Sequence, residues 1–412
     1  MQIDQLKYYI KKIIGRRDAG FNFYEFEKSI NILAGNQFKL WGMLIELIKA
    51  HSRRTTEYLT QEYFSMQSDR MGEFFMSEKL IDFTVSSNKS ILDEHAKKSI
   101  EKRNQIRNAF VPFPIENCAF ISELSRIPIV IHEALDTKES GKLKLKGKTI
   151  HLFVLVHGYM GSSNDLRIIK GYLSLNFPGH KFLCSKQNEA DTNSSIFELG
   201  KNLASEVQEY IRDEFIKDGP TKISFIGHSL GGIIIRAALP NLSIYKDKMH
   251  LYMSISSPHL GLTYNSNSLV STGYWFMKNF TSSKSLQQLS LSDDPIMEKT
   301  ALFRLSNTDG LEWFSYVMLA SSHNDCYVPF ESARIELNEK VFKDAEHGAI
   351  FIKMAQNIFG KIKGKCLNKL DVDFQIKKKQ IDKMIGRAAH IEFLDNEYWI
   401  QVVLSRLQEI FE

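Results

Sequence analysis

The sequence has few cysteines, and their spacing argues against two classes of site. The chain of 412 residues contains 4 cysteines, and none of them belongs to a C-x-x-C pair. They are Cys118, Cys184, Cys326 and Cys366. Cysteines this far apart predict neither a zinc site nor a disulfide framework. The pattern is typical of a reducing compartment, and the predicted location is therefore cytoplasmic.

Long apolar runs and blocks of like charge are also missing. No run approaches the about 18 apolar residues of a transmembrane helix, and the opening text "MQIDQLKYYIKKIIGRRD" lacks the apolar stretch of a signal peptide. The net charge of +5 is spread over short runs without a nucleic-acid reader motif. We therefore expect no membrane span and no nucleic-acid partner. Peripheral contact with a membrane stays open.

The chain divides into two parts by the rhythm of its apolar residues. In "FKLWGMLIELIKAHSRRTTEYL" they recur at helical spacing, and strand patterns are scarce before the lysine-rich connector "DTKESGKLKLKGK". We place a boundary near Gly141. The sequence thus predicts a helical N-terminal region over 1–140 and a second domain over 141–412, in keeping with the length.

The second part alternates short apolar strands with amphipathic helices. The strand text reads "HLFVLV", "KFLC", "HLYMSIS" and "FSYVMLAS", and helical text separates these segments. Fully apolar strands that alternate with helices predict an α/β fold with a mostly parallel, doubly wound sheet. Residues 263–300 break this alternation, which predicts an insertion or lid over the sheet edge. Aromatic and apolar residues between Leu262 and Phe280 are candidates for an acyl pocket, or are simply core: Leu262, Tyr274, Trp275, Phe276 and Met277.

The segment "TKISFIGHSLGGIIIRAAL" joins an apolar strand to an apolar helix. Ser229 stands at the joint between Gly227 and Gly231, in the G-x-S-x-G pattern of a nucleophile elbow. A serine hydroxyl becomes a good nucleophile when a base takes its proton and an acid orients that base. In this architecture the chain order is nucleophile, acid, histidine.

The candidates for acid and base follow from that order. Asp325 comes directly after the strand "FSYVMLAS", although a turn aspartate would look the same; Asp191, in the loop after "KFLC", is the runner-up acid. His390 follows a stretch of small residues that predicts a late loop, the usual place for the base. His347 lies within a predicted helix over 341–358 and is the alternative.

Two backbone N–H groups are candidates for an oxyanion hole. Leu230 directly follows the nucleophile, and Tyr159 belongs to the loop "HGYMGSS" after the first strand, where Gly158 allows a close backbone approach. A tight glycine turn without a ligand is the alternative for that loop. We expect His157 and His228 to bond loop backbone rather than act as bases. No cluster has metal-ligand spacing and no glycine loop carries G-K-[ST], so neither a metal nor a cofactor is expected.

Several long segments together resemble a known family. They are "HLFVLVHGYMGSSNDLRIIKGYL", "FIGHSLGGIIIRAAL", "SSPHLGLTYNSNSLVSTGYWFMK", "ASSHNDCYVPFESARIEL" and "MIGRAAHIEFLD". They look like the eukaryotic serine esterases, and most closely like the carboxyl-terminal part of the proteins called "family with sequence similarity 135". The resemblance implies an α/β-hydrolase fold and a lipase-like serine hydrolase, with its catalytic roles on Ser229, Asp325 and His390. It favours His390 over His347, and it implies that residues 264–270 begin a lipid-facing insertion.

The sequence therefore predicts an intracellular serine hydrolase that cleaves carboxylic esters, above all lipid esters, through an acyl-enzyme. A thioesterase, an acyltransferase or a peptidase would use the same triad. The alternative of a different class is a non-catalytic hydrolase-fold module that docks partners or membrane surfaces. Its support is the helical N-terminal region and two basic clusters, at 97–107 and 377–379.

Overall fold

A computed structural model gives the fold, and it describes residues 32, 35, 39–43, 75–79, 128–135, 150–215, 219–264, 283–362, 366–374 and 382–412. The chain forms two compact units, residues 1–70 and residues 71–412. In the first unit, residues 39–43 are helical. The rest of the N-terminal helical text, both basic clusters and residues 265–282 of the predicted insertion lie outside the described residues.

The second unit is built on one sheet of 8 strands. The strands are β1 (Phe75–Lys79), β2 (Ile129–Leu135), β3 (His151–Val156), β4 (Lys181–Cys184), β5 (Lys222–His228), β6 (Met249–Ile255), β7 (Tyr316–Ser321) and β8 (Cys366–Asp373). Their order across the sheet is β1-β2-β8-β7-β6-β5-β3-β4. Neighbouring strands are parallel except for β2 and β8, which run antiparallel.

Helices connect the strands and cover both faces of the sheet. They are α1 (Arg167–Asn176), α2 (Ile196–Glu214), α3 (Leu230–Ala238), α4 (Lys284–Leu289), α5 (Ala301–Ser306), α6 (Phe330–Arg334), α7 (Glu339–Lys343), α8 (Gly348–Ile362), α9 (Asp382–Asp395), α10 (Glu397–Arg406) and α11 (Gln408–Phe411). Short 3-10 helices span Leu239–Lys248, Met297–Lys299 and Leu311–Trp313.

Two apolar cores lie on opposite faces of the sheet. In β3, Leu152 and Val154 pack with α2, α3 and α8, whereas Phe153 and Leu155 pack with α1, α10 and α11. This alternation explains why the strand is apolar at every position, because both of its faces are buried. The predicted doubly wound α/β sheet is confirmed, and its arrangement is that of an α/β-hydrolase.

The order of the strands fixes where a ligand can bind. From β3 the chain crosses to β4 on one side and then returns to β5 on the other side of β3. Such a reversal leaves a crevice at the carboxyl ends of the two central strands. The loop after β3 begins at His157 and the turn after β5 contains Ser229, so both of these segments lie at that crevice.

Strand β8 was not predicted, because half of its residues are polar. Asn368, Lys369, Asp371 and Asp373 are all buried in it. The structure supplies polar partners: Lys369 Nζ donates to Glu336 Oε1 at 2.7 Å, and Asp373 Oδ1 accepts from the Asn324 amide at 3.0 Å. Since these partners come from distant segments, the local pattern contained no strand signal.

One helix prediction and one loop prediction were wrong. The predicted helix over 341–358 is interrupted, with α7 ending at Lys343 and α8 beginning at Gly348, so His347 lies in the turn between them. Asp344 causes this break, since its carboxylate accepts the N–H of His347 at 2.9 Å in place of a helical carbonyl. Conversely, His390 lies within α9 rather than in a loop.

The N-terminal region contains more sheet than its sequence suggests. Both β1 and β2 fall within 1–140, where we predict helices, and they extend the sheet beyond β8. The antiparallel pairing runs from Ile129 opposite Asp373 to Leu135 opposite Leu367. The domain boundary near Gly141 stays a prediction. The first compact unit ends at Arg70, and β1 and β2 belong to the second unit.

Candidate active site

Ser229 occupies a strained turn between β5 and α3. Its φ of 54° is a left-handed value that residues other than glycine rarely adopt. A Cβ on Gly227 would come within 2.5 Å of the Gly232 nitrogen, and one on Gly231 would collide with the carbonyl oxygen of Val156. The glycines of G-x-S-x-G are therefore required by backbone packing, which holds the serine at the apex of the turn.

His390 and Asp325 form a close pair beside this turn. The Nδ1–H of His390 donates to Asp325 Oδ2 at 2.7 Å, which leaves Nε2 of the ring for other partners. Asp325 lies in the turn after β7, as the sequence predicts, and is only 1% exposed. The pairing joins helix α9 to the carboxyl end of β7.

The environment of Asp325 favours the carboxylate form. Its Oδ1 accepts the N–H groups of Tyr327 at 2.8 Å and Val328 at 3.1 Å, and Oδ2 also accepts the hydroxyl of Ser256 at 2.6 Å. Burial alone would raise the pKa of Asp325, but the charge of His390 and these hydrogen bonds outweigh burial and lower it. The carboxylate is thus ionised and held in one orientation.

His228, which directly precedes the nucleophile candidate, bonds backbone as the sequence predicts. Its Nε2–H donates to the carbonyl oxygen of His390 at 3.1 Å. Burial, followed by the nearby His390, lowers the pKa of His228 to about 3, so that the ring is neutral at neutral pH. His157 likewise donates from Nδ1 to the carbonyl oxygen of Gly158 at 3.0 Å.

The loop after β3 lies against the elbow. A Cβ on Gly158 would stand 3.0 Å from Ser229 Cβ, so the backbone of this loop passes directly beside the serine. Tyr159 directly follows Gly158 in this loop, and Leu230 directly follows Ser229 at the start of α3. Their N–H groups therefore belong to the two segments that meet here. This is where the sequence predicts the two oxyanion donors.

A second loop, residues 189–194, fastens the loop after β3. The Tyr159 hydroxyl donates to Asn193 Oδ1 at 2.8 Å, the Met160 N–H donates to Thr192 Oγ1 at 3.0 Å, and the Ser163 N–H donates to Glu189 Oε1 at 2.5 Å. These bonds hold Met160 at a left-handed φ of 52°. Thr192 is an addition that the sequence did not indicate, since its role depends on a contact between loops.

The two runner-up residues have other partners. The carboxylate of Asp191 accepts the Asn193 N–H at 2.8 Å and the Ser194 hydroxyl at 2.8 Å, and these bonds lower its pKa and order its loop. His347 lies 3.8 Å from Asp344 in the turn before α8. Among the contacts of the described residues, it is His390 that pairs with Asp325.

A cavity of about 390 Å³ opens at the elbow, and both Ser229 and His390 line it. Most of its remaining walls are apolar side chains: Met160, Leu230, Pro258, Leu262, Leu286, Leu289, Val328, Ile391 and Leu394. Leu262 is the one residue of the predicted acyl pocket within the described residues, since Tyr274, Trp275, Phe276 and Met277 lie outside them. The cavity can therefore hold an apolar group beside the serine.

Ser256 is, with Thr192, a residue at this site that sequence reasoning missed. It follows β6 in "SISSPH", buried and with a φ of 49°. The signal available was its place directly after a central strand, level with the elbow; its partner Asp325 could not be read from the sequence.

Within the described residues, no group of three or more His, Cys, Asp or Glu side chains could hold a metal ion. In the same part of the chain, no helix is long and apolar enough to cross a membrane.

The part of the chain that contains the elbow is similar to known proteins. Residues 146–337 match the family model described as "Putative serine esterase (DUF676)". The match contains Ser229 and Asp325. The chain is thus similar to serine esterases over the strands that carry the elbow and the acid, and the match ends before His390.

Two proteins of Saccharomyces cerevisiae (strain ATCC 204508 / S288c) are similar to the same part of the chain. "Putative lipase YDL109C" is 27% identical over 215 residues, which cover 45% of this chain and 30% of that protein. "Putative lipase ROG1" is 28% identical over 204 residues, covering 46% of this chain and 29% of that protein. The chain thus spans less than a third of the length of these relatives.

Two solved structures show more distant likeness. The lin2722 gene product of Listeria innocua has a TM-score of 0.38 at 13% identity, covering 64% of this chain and 95% of that one. Aspergillus fumigatus lipase B has a TM-score of 0.34 at 12% identity, covering 63% and 65% of the two chains. The assignment of the fold rests on the sheet topology itself.

Proposed function

We propose that this chain is a serine hydrolase that cleaves carboxylic esters, with Ser229 as nucleophile, His390 as base and Asp325 as the orienting acid. The observation that carries the proposal is the shared cavity. Ser229, at a strained elbow, and His390, bonded to a buried aspartate, line the same apolar space. The match to a serine esterase family supports the same chemistry.

The reaction begins at the serine hydroxyl. Ser229 Oγ attacks the ester carbonyl carbon while Nε2 of His390 takes the hydroxyl proton. Asp325 holds Nδ1–H and stabilises the imidazolium that forms. The carbonyl oxygen becomes an oxyanion, which the N–H groups of Tyr159 and Leu230 receive.

The acyl-enzyme then forms and is hydrolysed. The tetrahedral intermediate collapses, its C–O bond breaks, and His390 gives its proton to the departing alkoxide. A water molecule next attacks the acyl carbon as His390 removes a water proton. Collapse of the second intermediate returns the proton to Ser229 Oγ and releases the carboxylic acid.

The walls of the cavity suggest an uncharged, apolar ester. Beyond the proposed catalytic groups and their neighbours, aliphatic side chains form most of the surface, and Asp165 adds one carboxylate. The described lining residues include no Lys or Arg that would attract a phosphate or a free carboxylate. A lipid ester fits this lining. The proposed resemblance to the "family with sequence similarity 135" proteins implies a lipase-like hydrolase and so agrees with that substrate.

The place of action is part of the proposal. The scattered cysteines favour the cytoplasm, and the basic clusters at 97–107 and 377–379 suit peripheral contact with an anionic membrane. We further propose that a helical N-terminal region precedes a catalytic domain over 141–412. The alternative, a hydrolase-fold module without catalysis, predicts the same surfaces but an inert serine.

A fluorophosphonate probe separates these alternatives. The folded chain should be labelled, whereas the Ser229→Ala variant and heat-denatured protein should not. Ser205→Ala is the matched control, because Ser205 is an exposed serine of α2 remote from the cavity. A folded wild type that resists labelling would overturn the hydrolase proposal in favour of the binding module.

A series of esters then defines the substrate. Uncharged p-nitrophenyl esters of increasing acyl length should be cleaved, and the same acyl groups joined to a phosphorylated alcohol should be cleaved more slowly. Acyl thioesters as substrates test for thioesterase activity, and an added alcohol that competes with water for the acyl group tests for acyltransferase activity. Equal rates on charged and uncharged esters would contradict the role given to the lining.

A further inference from the structure

Ser256 shares one carboxylate oxygen with the proposed base. Its hydroxyl donates to Asp325 Oδ2 at 2.6 Å, and His390 Nδ1–H donates to the same oxygen at 2.7 Å. The other oxygen, Oδ1, is bonded to two backbone N–H groups. The Asp325 carboxylate therefore accepts four hydrogen bonds. Two come from backbone N–H groups, and two come from the side chains of Ser256 and His390.

The backbone conformation of Ser256 directs its hydroxyl toward Asp325. The residue is buried, has a φ of 49° and donates its N–H to the carbonyl oxygen of Ala320 at 2.8 Å. A left-handed conformation is costly for a residue with a side chain, and it persists where the surroundings enforce it. The conformation directs the hydroxyl from the end of β6 to the turn after β7.

A buried network fixes the segment on either side. Arg236 Nη1 donates to His259 Nδ1 at 3.3 Å, and His259 Nε2–H donates to Ser254 Oγ at 2.9 Å. This network links helix α3, which begins after the proposed nucleophile, to the segment that carries Ser256. The hydroxyl is thus placed by rigid neighbours rather than by a mobile loop.

We infer that Ser256 is a positioning residue, which fixes the Asp325 carboxylate and limits the negative charge that Oδ2 presents to His390. The inference rests on the proposed function, because it assigns Ser256 a task within that triad. A hydroxyl that donates to Oδ2 draws part of its charge away from the imidazole. Without the hydroxyl, the carboxylate turns more freely and attracts the imidazolium more strongly.

The groups that face His390 are few in the part of the chain described. They are Asp325, the neutral His228 with ring centroids at 4.6 Å, and Tyr327 with ring centroids at 5.5 Å; Asp165 lines the same cavity. Ser256 touches only the first of these by hydrogen bond. A change at Ser256 should therefore reach His390 through Asp325.

The experiment compares Ser256→Ala and Ser256→Gly with Ser257→Ala. Ser257 is the adjacent buried serine, and its hydroxyl has no described hydrogen-bond partner. Gly accepts the positive φ, so Ser256→Gly removes the hydroxyl without backbone strain and keeps the test valid if Ser256→Ala folds poorly.

Two readouts should move together. Ester hydrolysis by Ser256→Ala and Ser256→Gly should show kcat lowered about tenfold with little change in KM, and the acid limb of kcat/KM should move to higher pH. The low-field NMR signal of the His390 Nδ1 proton should shift in both variants. Ser257→Ala should match wild type in every respect.

The NMR signal keeps the two proposals apart. If wild type shows no esterase activity or labelling, the proposed function fails, while the shift of the Nδ1 proton still tests the link from Ser256 to His390. An unchanged Nδ1 signal in Ser256→Gly would overturn the inference. An unchanged pH profile in an active Ser256→Gly enzyme would overturn it as well.

Discussion

The imidazole of His228 donates its Nε2–H to the carbonyl oxygen of His390 at 3.1 Å. One of these residues precedes Ser229 in the chain, and the other is the residue paired with Asp325. The bond therefore ties the end of β5 to helix α9, which approaches the elbow from a segment more than a hundred residues away. It sets the separation between the proposed nucleophile and the proposed base through backbone rather than through the reacting groups.

We expect His228→Ala to lower kcat about tenfold and to reduce the free energy of unfolding by about 1–2 kcal/mol, since the partly buried carbonyl of His390 loses this donor. His228→Gln, which can place an amide N–H near the same carbonyl, should recover much of both. Steady-state kinetics and urea unfolding measure the two effects. His347→Ala, at a partly exposed position in the turn before α8, is the control, and a His228→Ala enzyme with wild-type kinetics would refute this role.

Thr192 should affect the reaction although it lies outside the proposed triad. Its Oγ1 accepts the Met160 N–H at 3.0 Å, next to the Tyr159 amide proposed for the oxyanion. Thr192→Val keeps the shape and removes the acceptor, so we expect kcat to fall about tenfold through a displaced oxyanion donor. Thr192→Ser should stay near wild type. Equal kinetics for Val and Ser at this position would show that the bond does not position the loop.

Gly231→Ala should destabilise the fold, because the added Cβ meets the carbonyl oxygen of Val156 on the neighbouring strand. We expect a loss of about 3 kcal/mol in the free energy of unfolding, and no labelling of Ser229. Gly171→Ala, in helix α1 with open space around the added Cβ, should instead stabilise by about 0.5–1 kcal/mol. Urea denaturation of both variants gives the comparison; similar values for the two would contradict the packing argument.

Stability should fall in mild acid because of histidines at the amino ends of the central strands. Burial, then His250, lowers the pKa of His151 to about 2, and burial, then Lys222, lowers the pKa of His250 to about 4. A histidine whose folded pKa lies below its unfolded value of about 6.5 favours folding fully above that pH. Its contribution is lost as pH falls toward the folded value.

Between pH 6.5 and 4.5 each of these two histidines should cost about 2 kcal/mol of stability. Urea unfolding across that range measures the slope. His250→Gln, whose amide can still donate to the carbonyl oxygen of Ile410, should flatten it. A slope that is the same in wild type and His250→Gln would contradict the assignment.

The sequence predicted the central strands well because their signal is local. Strands β3 and β4 have the predicted bounds, and β5, β6 and β7 differ only at their ends. A continuous run of apolar residues is sufficient to indicate a strand that is buried on both faces. The positions of Ser229 after β5 and of Asp325 after β7 could be predicted in the same way, since both residues follow strand ends.

The remaining features depend on contacts between distant segments. The buried polar side chains of β8 have partners on other elements: Glu336 forms an ion pair with Lys369, and the Asn324 amide donates to Asp373. The sequence of β8 alone does not indicate these partners. The local sequence favoured a helix at His347 and a loop at His390, whereas His347 lies in a turn and His390 lies in helix α9. Ser256 and Thr192 acquire their roles from partners on other loops, which a single sequence does not reveal.

The antiparallel contact of β2 with β8 determines where the chain can be divided. His132 Nε2 and Asn368 Oδ1 are 2.7 Å apart across it, and the strand pairing continues over the whole length of β2. A fragment that begins near Gly141 would retain every proposed catalytic residue but would leave one side of β8 bare. Its open N–H and C=O groups, beside buried charges, would pair with the same edge of another copy. Such a catalytic fragment would therefore aggregate, and a soluble one must include the strands before the connector.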